Sequence, residues 1–132
     1  MASTRAELED LYRRYLDACN DHDLDRMSTF YSGAIRVNDK PMPPGAVAEQ
    51  FTPIFAAFPD WRWDVGSLAI DGDLISLRFA VGGTHLGTFA DIPATNRRVS
   101  IPEFTIYRVE DGLFADVWDL SDTPSLLAQI SS

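Results

Sequence analysis

Apolar residues recur every three or four positions along the N-terminal part of the chain. The repeating residues are Leu8, Leu11, Tyr12, Tyr15, Leu16 and Cys19. A stripe with this spacing lies on one face of a helix and buries that face against the rest of the protein. Thr4 and Glu7 have the spacing of a capping box, in which each side chain accepts a hydrogen bond from the other residue's backbone N–H. The sequence therefore predicts an amphipathic helix from Thr4 to Cys19.

Polar residues interrupt the stripe at 20–23 and predict a turn. Asp23 is placed to cap a short second helix. That helix is predicted to run through Met27, Phe30 and Tyr31.

A short strand is predicted next, at Ala34–Asn38, and the proline-rich segment 41–45 predicts a rigid loop after it. A third helix is predicted from Ala46 to about Phe58. Pro53 falls inside that helix and should bend or break it, because proline removes a backbone donor.

The pattern after Phe58 alternates between apolar and polar residues, which is typical of strands. The predicted strands are Trp61–Leu68, Leu74–Val81, Val99–Val109 and Leu113–Leu120. Hairpin turns are predicted at 71–73 and 110–112, where Asp-Gly pairs occur. Helices followed by a strand meander predict an α+β fold, with the helices on one face of the sheet.

Length and charge limit the possible roles. The 132 residues fit a single domain over 1–132 with a core and a modest cavity. A formal net charge of −9 disfavours nucleic acid and anionic membranes as partners. No apolar run approaches the ~20 residues of a membrane span, and the N-terminus lacks a signal-peptide pattern, so we expect a cytoplasmic protein. Cys19 is the lone cysteine, so no intrachain disulfide is predicted.

Three segments between Phe58 and Asp122 occur in the order and spacing typical of one protein family. They read FPDWRW, then GTHLG followed by PATNR, then YRVEDG followed by VWDL. Together they resemble the SnoaL-like polyketide cyclases, whose corresponding motifs are GTHxG, PATGR and YRxxDG…EHWD. Asp116 and Val117 stand where relatives often have Glu-His, so chemistry that relies on that histidine is absent here.

The resemblance implies the cone-shaped fold shared by SnoaL-like cyclases, ketosteroid isomerase and nuclear transport factor two. We therefore expect N-terminal helices packed over the concave face of a strongly curved antiparallel sheet, with an apolar pocket between them. The resemblance also implies that the outer sheet face pairs with a second copy. A homodimer would cover Phe104, Ile106 and Trp118, which would otherwise form an exposed apolar patch.

Glu103 is a candidate site residue on the long predicted strand. Alternation places Ile101, Glu103, Thr105 and Tyr107 on one face. Matching the chain to ketosteroid isomerase puts Thr105 where that enzyme has its proton-donating carboxyl, so this face is expected to point inward. A buried glutamate without a basic partner is costly, which favours a function for Glu103 over a hydrogen bond to a helix end or to a dimer partner.

Asp119 is the first candidate for the acid/base group, because the resemblance implies that role for the aspartate of the Trp-Asp element. Ala115, Val117 and Asp119 share one face of the last predicted strand. The structural alternative is that Asp119 or Asp122 caps the end of the strand or the predicted C-terminal helix Pro124–Ile130. For Asp122 the cap is favoured.

Asn38 and Asp39 occupy the place of the catalytic base of ketosteroid isomerase, at the end of the first strand. An aspartate that caps a turn is an equally good interpretation. Tyr15, Asp39 and Asp64 lie near the positions of the Tyr, Asp and Glu that polyether epoxide hydrolase/cyclases of the same fold use. The resemblance therefore keeps epoxide opening as an alternative.

His85 is the histidine within the matched segments, and its intrinsic pKa suits proton transfer. It follows a Gly-Gly pair, where it could equally hold a loop. The other histidine, His22, falls in the polar turn. Two separated histidines without a carboxylate cluster predict no metal site.

The resemblance implies cofactor-independent acid/base chemistry on a hydrophobic, polyketide-like small molecule, most concretely an intramolecular aldol cyclisation. Asp119 would move the protons, and Glu103, His85, Asp39 and Tyr15 would position the substrate or complete the relay. The predicted substrate contacts are Tyr15, Phe30, Asn38, Phe55, Phe58, Trp63, Asp64, Phe79, Thr105 and Tyr107. The alternatives are an epoxide hydrolase or polyether-type cyclase and a non-catalytic small-molecule-binding module.

Overall fold

Helices precede a strand meander along residues 3–131, the part of the chain that this computed structural model describes. The helices are α1 (Arg5–Asn20), α2 (Leu24–Ser28), α3 (Pro44–Glu49), α4 (Thr52–Ala57) and α5 (Thr123–Ser131). The strands are β1 (Tyr31–Val37), β2 (Lys40–Pro41), β3 (Arg62–Asp71), β4 (Leu74–Thr84), β5 (Arg98–Glu110) and β6 (Leu113–Ser121). The predicted α+β class is confirmed.

Helix α1 begins at the predicted capping box. Thr4 Oγ1 accepts from Glu7 N at 3.2 Å, and Glu7 Oε1 accepts from Thr4 N at 2.8 Å. The apolar stripe is buried against the sheet, where the Tyr12 ring lies 6.2 Å from Phe79 and 5.4 Å from Tyr107. These contacts fix α1 across the inner face of the sheet.

The second helix is shorter than predicted. It starts after the Asp23 cap, whose side chain accepts from Arg26 N, but it ends at Ser28. The hydroxyl of Ser28 donates to Asp25 O and that of Thr29 donates to Arg26 O, and such bonds compete with helix continuation. The predicted extension through Phe30 and Tyr31 is therefore wrong, and the strand β1 begins earlier than predicted.

The predicted third helix is divided into α3 and α4. Both begin with proline at their first or second position, where its missing N–H costs no helical bond. The interruption at 50–51 directly precedes α4, so Pro53 breaks the helix as predicted. The helix starts earlier than expected, at Pro44, inside the segment that was predicted to be a rigid loop.

The six strands form one sheet in the order β2-β1-β6-β5-β4-β3. Strands β3 to β6 form the predicted antiparallel meander, with two-residue turns at 72–73 and 111–112. The prediction of a wholly antiparallel sheet is wrong at one place, since β1 pairs with β6 in parallel. Apolar periodicity does not encode strand direction, and the long connection between β1 and β6 permits either orientation.

Residue alternation along β5 agrees with the prediction. The buried residues are Val99, Ile101, Glu103, Thr105, Tyr107 and Val109. On β6 the register changes, because Arg108 pairs with Asp116 and Val109 with Phe114, which leaves Ala115 as the extra residue of a bulge. Beyond the bulge, Asp119 pairs with Thr105 and shares its inner face.

The opposite face of the sheet carries exposed apolar side chains. Phe104 is 52% exposed and Leu120 is 74% exposed. Helix α5 follows β6 and is preceded by Asp122, whose side chain accepts from Ser125 N at 3.1 Å, as a cap would. Among the described residues, no helix is both long and apolar enough to cross a membrane.

Candidate active site

Two adjoining cavities lie between the inner face of the sheet and the helices. The larger, which we call the outer chamber, has a volume of about 180 Å³ and is walled chiefly by Phe51, Ile54, Trp61, Trp63, Phe89 and Ile101. The smaller, the inner chamber, has a volume of about 50 Å³ and is walled chiefly by Tyr15, Tyr31, Val47, Thr105, Tyr107 and Val117. Both chambers are lined by Gln50, Phe51, Glu103 and Asp119, which therefore mark their junction.

A groove of about 580 Å³ on the opposite face of the sheet is larger than either chamber. Its charged side chains are exposed and paired, Arg62 with Asp64 at 2.9 Å and Arg98 with Asp60 at 3.6 Å. Groups of this kind behave as ordinary surface charges. The chambers are the stronger candidate, because they contain a buried carboxyl group beside a second one.

Glu103 is that buried carboxyl. Its side chain is 8% exposed, and Trp63 Nε1 donates to its Oε1 at 2.8 Å. Burial, followed by the hydrogen bond and the charge of Asp119, raises the pKa of Glu103 to about 9. Glu103 is therefore protonated at neutral pH, with one oxygen accepting from Trp63 and a proton available for the oxygen of Asp119.

Asp119 is exposed to solvent and is held from two sides. Thr105 Oγ1 donates to Asp119 Oδ1 at 3.0 Å. The backbone N–H of Asp119 donates to Asn38 Oδ1 at 3.0 Å. The side chain and the backbone of Asp119 are thus both fixed at the junction, where its carboxylate faces a neutral carboxylic acid.

Trp63 is itself anchored to the end of α1. Asn20 Nδ2 donates to Trp63 O at 3.1 Å, and Trp63 N donates to Asn20 Oδ1 at 2.8 Å. This reciprocal pair fixes the start of β3, so the indole N–H is held in place to meet Glu103. The side chain of Glu103, on β5, is therefore held by a residue of β3 that is itself bonded to the end of α1.

Two tyrosines meet in the inner chamber. The hydroxyl groups of Tyr15 on α1 and Tyr31 on β1 lie 2.6 Å apart, and both side chains are buried. Burial raises the pKa of each phenol above its ordinary value, so both remain protonated at neutral pH. Tyr15, Thr105 and Tyr107 were predicted as substrate contacts, and the structure places all three in this chamber.

His85 lines neither chamber. Thr95 N donates to its Nδ1 at 3.2 Å, so that nitrogen is an acceptor and the ring proton is on Nε2. The ring is fully buried and stacks on Phe58 with centroids 5.3 Å apart. These contacts brace the loop between β4 and β5, in agreement with the loop-holding interpretation.

Asp39 and Asp64 also lie outside the chambers. Asp39 is exposed in the turn between β1 and β2 and accepts from Trp118 Nε1 at 3.0 Å. Asp64 is exposed beside Arg62. Asn38, from the same turn as Asp39, accepts through its side-chain oxygen from the backbone N–H of Asp119 but lines neither chamber.

Of the phenylalanine and tryptophan residues predicted as substrate contacts, Trp63 lines the outer chamber. The others pack elsewhere. Phe30, Phe58 and Phe79 are buried in the core, and Phe55 stacks on His22 at 3.8 Å. Alternation and helical spacing identify buried residues but do not separate cavity walls from solid core.

The sequence reasoning missed Gln50, Phe51 and Tyr31. The first two lie in the interruption between α3 and α4, where the broken helix turns them toward the sheet. The signal that could have found them is Pro53, which predicted the break. Tyr31 was assigned to a helix that ends before it, so its place on β1 opposite Tyr15 was not foreseen.

A model of the SnoaL-like polyketide cyclase family matches residues 9–130 of the chain. This confirms the resemblance found in the three segments. No curated protein sequence matches the chain significantly. Residues 3–131 contain no group of three or more His, Cys, Asp or Glu side chains placed to hold a metal ion.

Solved structures similar to this chain include a proposed hydroxylase and two proteins described as polyketide cyclases. AclR, a proposed hydroxylase from Streptomyces galilaeus, is 27% identical over 96% of this chain and 82% of its own, with a TM-score of 0.87. A SnoaL-like polyketide cyclase from Agrobacterium tumefaciens is 27% identical over 94% of this chain and 98% of its own, with a TM-score of 0.79. IdmH, a proposed polyketide cyclase from Streptomyces antibioticus, is 26% identical over the same shares, with a TM-score of 0.81.

Proposed function

Because the chain belongs to the SnoaL-like polyketide cyclase family, we propose that it catalyses an intramolecular aldol cyclisation of a hydrophobic polyketide-like molecule without a cofactor. One observation carries the proposal. A protonated carboxylic acid, Glu103, and a second carboxyl group, Asp119, meet at the junction of two chambers. Two carboxyl groups in different environments can serve as acid and base in one reaction.

The reaction begins with proton removal from a carbon between two carbonyl groups. The Asp119 carboxylate takes that proton, and the resulting enolate attacks a carbonyl carbon of the same molecule to form the new C–C bond. Glu103 gives its proton to the alkoxide that forms. The proton on Asp119 then passes to Glu103 through their shared hydrogen bond, which restores both groups without any external reactant.

The chambers supply order as well as protons. The aromatic walls of the outer chamber favour a flat, apolar substrate body, and closure of a flexible chain into one reactive conformation contributes about 7 kcal/mol or more to such reactions. Trp63 and Thr105 hold the two carboxyl groups in position, at 2.8 Å and 3.0 Å. His85 and the core aromatics support the scaffold in this mechanism rather than contact the substrate.

Epoxide opening receives less support from the geometry. Two of the residues that the resemblance offered for that reaction, Asp39 and Asp64, are exposed and engaged with Trp118 and Arg62 outside the chambers. A non-catalytic binding module would have a cavity without a coupled acid and base. The raised pKa of Glu103 beside Asp119 favours an enzyme over that alternative.

We also propose that the chain is one domain, acts in the cytoplasm and pairs with a second copy through the outer face of the sheet. The exposed apolar side chains of Phe104, Ile106 and Leu120 on that face support the dimer. The net charge of −9 supports a partner that is neither nucleic acid nor membrane.

The test is to assay four conservative variants on one linear, aryl-capped poly-β-ketone that the enzyme accepts. Asp119→Asn should reduce turnover by at least ~10²-fold, as expected for loss of a general acid or base. Glu103→Gln should also reduce turnover strongly, because the amide has no proton to give to the alkoxide; a smaller reduction would mean that Glu103 only positions the substrate. Asp39→Asn and Asp64→Asn should leave turnover unchanged. Damage by the latter pair with a mild effect of Asp119→Asn would contradict Asp119 as the acid/base group and favour the residues of the epoxide alternative, and four folded variants with unaltered turnover would exclude carboxylate proton transfer.

A further inference from the structure

The two chambers contain carboxyl groups but no basic side chain. Glu103 and Asp119 line both chambers, and no lysine, arginine or histidine of the described residues lines either one. Because Glu103 is protonated, the two carboxyl groups together carry one negative charge, which lies on Asp119. Thr105 donates a neutral hydrogen bond to that carboxylate at 3.0 Å. The walls therefore offer the charge hydrogen bonds but no cation.

Carboxylates elsewhere in the fold have arginine partners. Asp116, whose side chain is 1% exposed, lies 2.9 Å from Arg36 Nε and 2.7 Å from Arg108 Nε. Within residues 3–131, no positively charged side chain forms a salt bridge with Glu103 or Asp119. The negative charge at the junction is thus left for a positively charged group of a ligand to meet.

The outer chamber has walls that suit such a group. Its aromatic rings come from three segments: Phe51 from the break between α3 and α4, Trp61 and Trp63 from the start of β3, and Phe89 from the loop after β4. The Trp63 ring lies 5.6 Å from Phe51 at 78° and 6.5 Å from Trp61 at 87°. The face of an aromatic ring attracts a cation that lies within ~6 Å of its centroid, and sites with several such rings recognise alkylated ammonium groups.

The size of the outer chamber agrees with that ligand class. Its volume of about 180 Å³ is about six times the ~30 Å³ that one water molecule occupies in the liquid. A trimethylammonium group and the carbon that bears it have about as many non-hydrogen atoms. Asp119 lines this chamber and is exposed, so a ligand can reach the carboxylate from solvent.

We propose that the outer chamber binds an alkylated ammonium group, with the positive charge beside the Asp119 carboxylate and the alkyl groups against the aromatic walls. The ligand class is selected by the charge and the walls alone. The proposal therefore goes beyond the cyclisation and does not depend on it.

The test compares two probes of the same shape, choline and its uncharged carbon analogue 3,3-dimethylbutan-1-ol. Affinities for the full chain are measured by NMR titration, and the shifted backbone signals show where each probe binds. Choline should bind about 5–30-fold more tightly than the alcohol, as expected for a cation held by aromatic rings. Its signals should shift at the outer chamber.

Four conservative variants separate the chamber from the general charge of the protein. Asp119→Asn should remove most of the advantage of choline over the alcohol. Asp64→Asn changes the net charge equally, at an exposed residue beside Arg62, and should leave that advantage intact. Phe51→Leu should weaken choline binding about 2–5-fold and change the affinity for the alcohol less. Phe104→Leu, on the opposite face of the sheet, should change neither affinity.

Equal affinities of the natural chain for choline and for the alcohol would overturn the proposal. An equal loss of choline binding in Asp119→Asn and Asp64→Asn would also overturn it, because the attraction would then come from the net charge of −9. Unchanged choline binding in folded Phe51→Leu would refute the aromatic contact. These measurements use binding alone, so the proposed cyclisation is judged separately by turnover.

Discussion

Replacing Glu103 with glutamine tests the protonation state on which the site depends. The amide is nearly isosteric with the protonated acid. Its oxygen can accept from Trp63 Nε1, and its N–H can donate to Asp119, as the acid does. The variant should therefore fold, and it should differ from the natural chain mainly in having no proton to lose.

The magnitude follows from the linkage between protonation and folding. The pKa of Glu103 is about 9 in the folded protein against an ordinary value of 4.5. Between these values the folded chain holds a proton that the unfolded chain has released, so stability falls as pH rises. The stabilising contribution is fully present below about pH 4.5 and is lost progressively up to about pH 9. The slope is about 1.4 kcal/mol per pH unit, or about 3 kcal/mol between pH 6 and pH 8.

The assay is urea unfolding at pH 6, 7 and 8, followed by tryptophan fluorescence. Between pH 6 and pH 8, the free energy of unfolding of the natural chain should fall by about 3 kcal/mol more than that of Glu103→Gln. Carboxylates whose pKa is lowered by their partners, such as Asp60 and Asp116, finish titrating below this range and are common to both proteins. If the two proteins show the same pH dependence, Glu103 is ionised in the fold and the acid/base assignment fails.

Two further variants test the supports of the site and its surroundings. Asn38→Gly removes the oxygen that accepts from Asp119 N, and glycine tolerates the φ of 49° at that position. This variant should lower turnover about 2–10-fold. Asp39→Gly, at the neighbouring φ of 70°, is the control that should leave turnover unchanged. If both glycine variants behave alike, Asn38 does not position Asp119. Phe104→Glu should convert the proposed dimer to a monomer in sedimentation at micromolar concentration, because Phe104 is 52% exposed on the outer sheet face. Leu86→Glu, at a residue 53% exposed outside the sheet, should leave the mass unchanged, and a natural chain that already sediments as a monomer would contradict the proposed interface.

The sequence predicted the fold best where periodicity and local capping act alone. The capping box of α1, the break near Pro53 and the inward face of β5 with Glu103 are all found in the structure. Local hydrogen bonds of Ser28 and Thr29 ended α2 early, which apolar spacing could not reveal. The parallel pairing of β1 with β6 was also hidden, because it joins segments far apart in the chain.

For the site, the sequence located Glu103 and Asp119 but not what surrounds them. Alternation predicted that both carboxyl groups lie on the inner face of the sheet. The pairing of Thr105 with Asp119 agrees with this prediction. The partner of Glu103 could not be foreseen, because Trp63 reaches it through a contact between β3 and β5 that only the folded sheet creates. Tyr31 escaped for the same reason, since its link to Tyr15 joins a strand to a helix.

The most direct test of the proposed acid/base pair is deuterium exchange into benzoylacetone, followed by NMR at a mildly acidic pD where the uncatalysed exchange is slow. Its phenyl ring is flat and apolar, as the aromatic walls of the outer chamber favour, and its CH₂ between two carbonyl groups is the kind of activated carbon that the proposed mechanism requires. The natural chain should accelerate exchange at that CH₂, and Asp119→Asn should reduce the acceleration at least ~10²-fold. Asp64→Asn, the same substitution on the outer face beside Arg62, should retain it. Equal acceleration by the natural chain and by folded Asp119→Asn would contradict the assignment of Asp119 as the base.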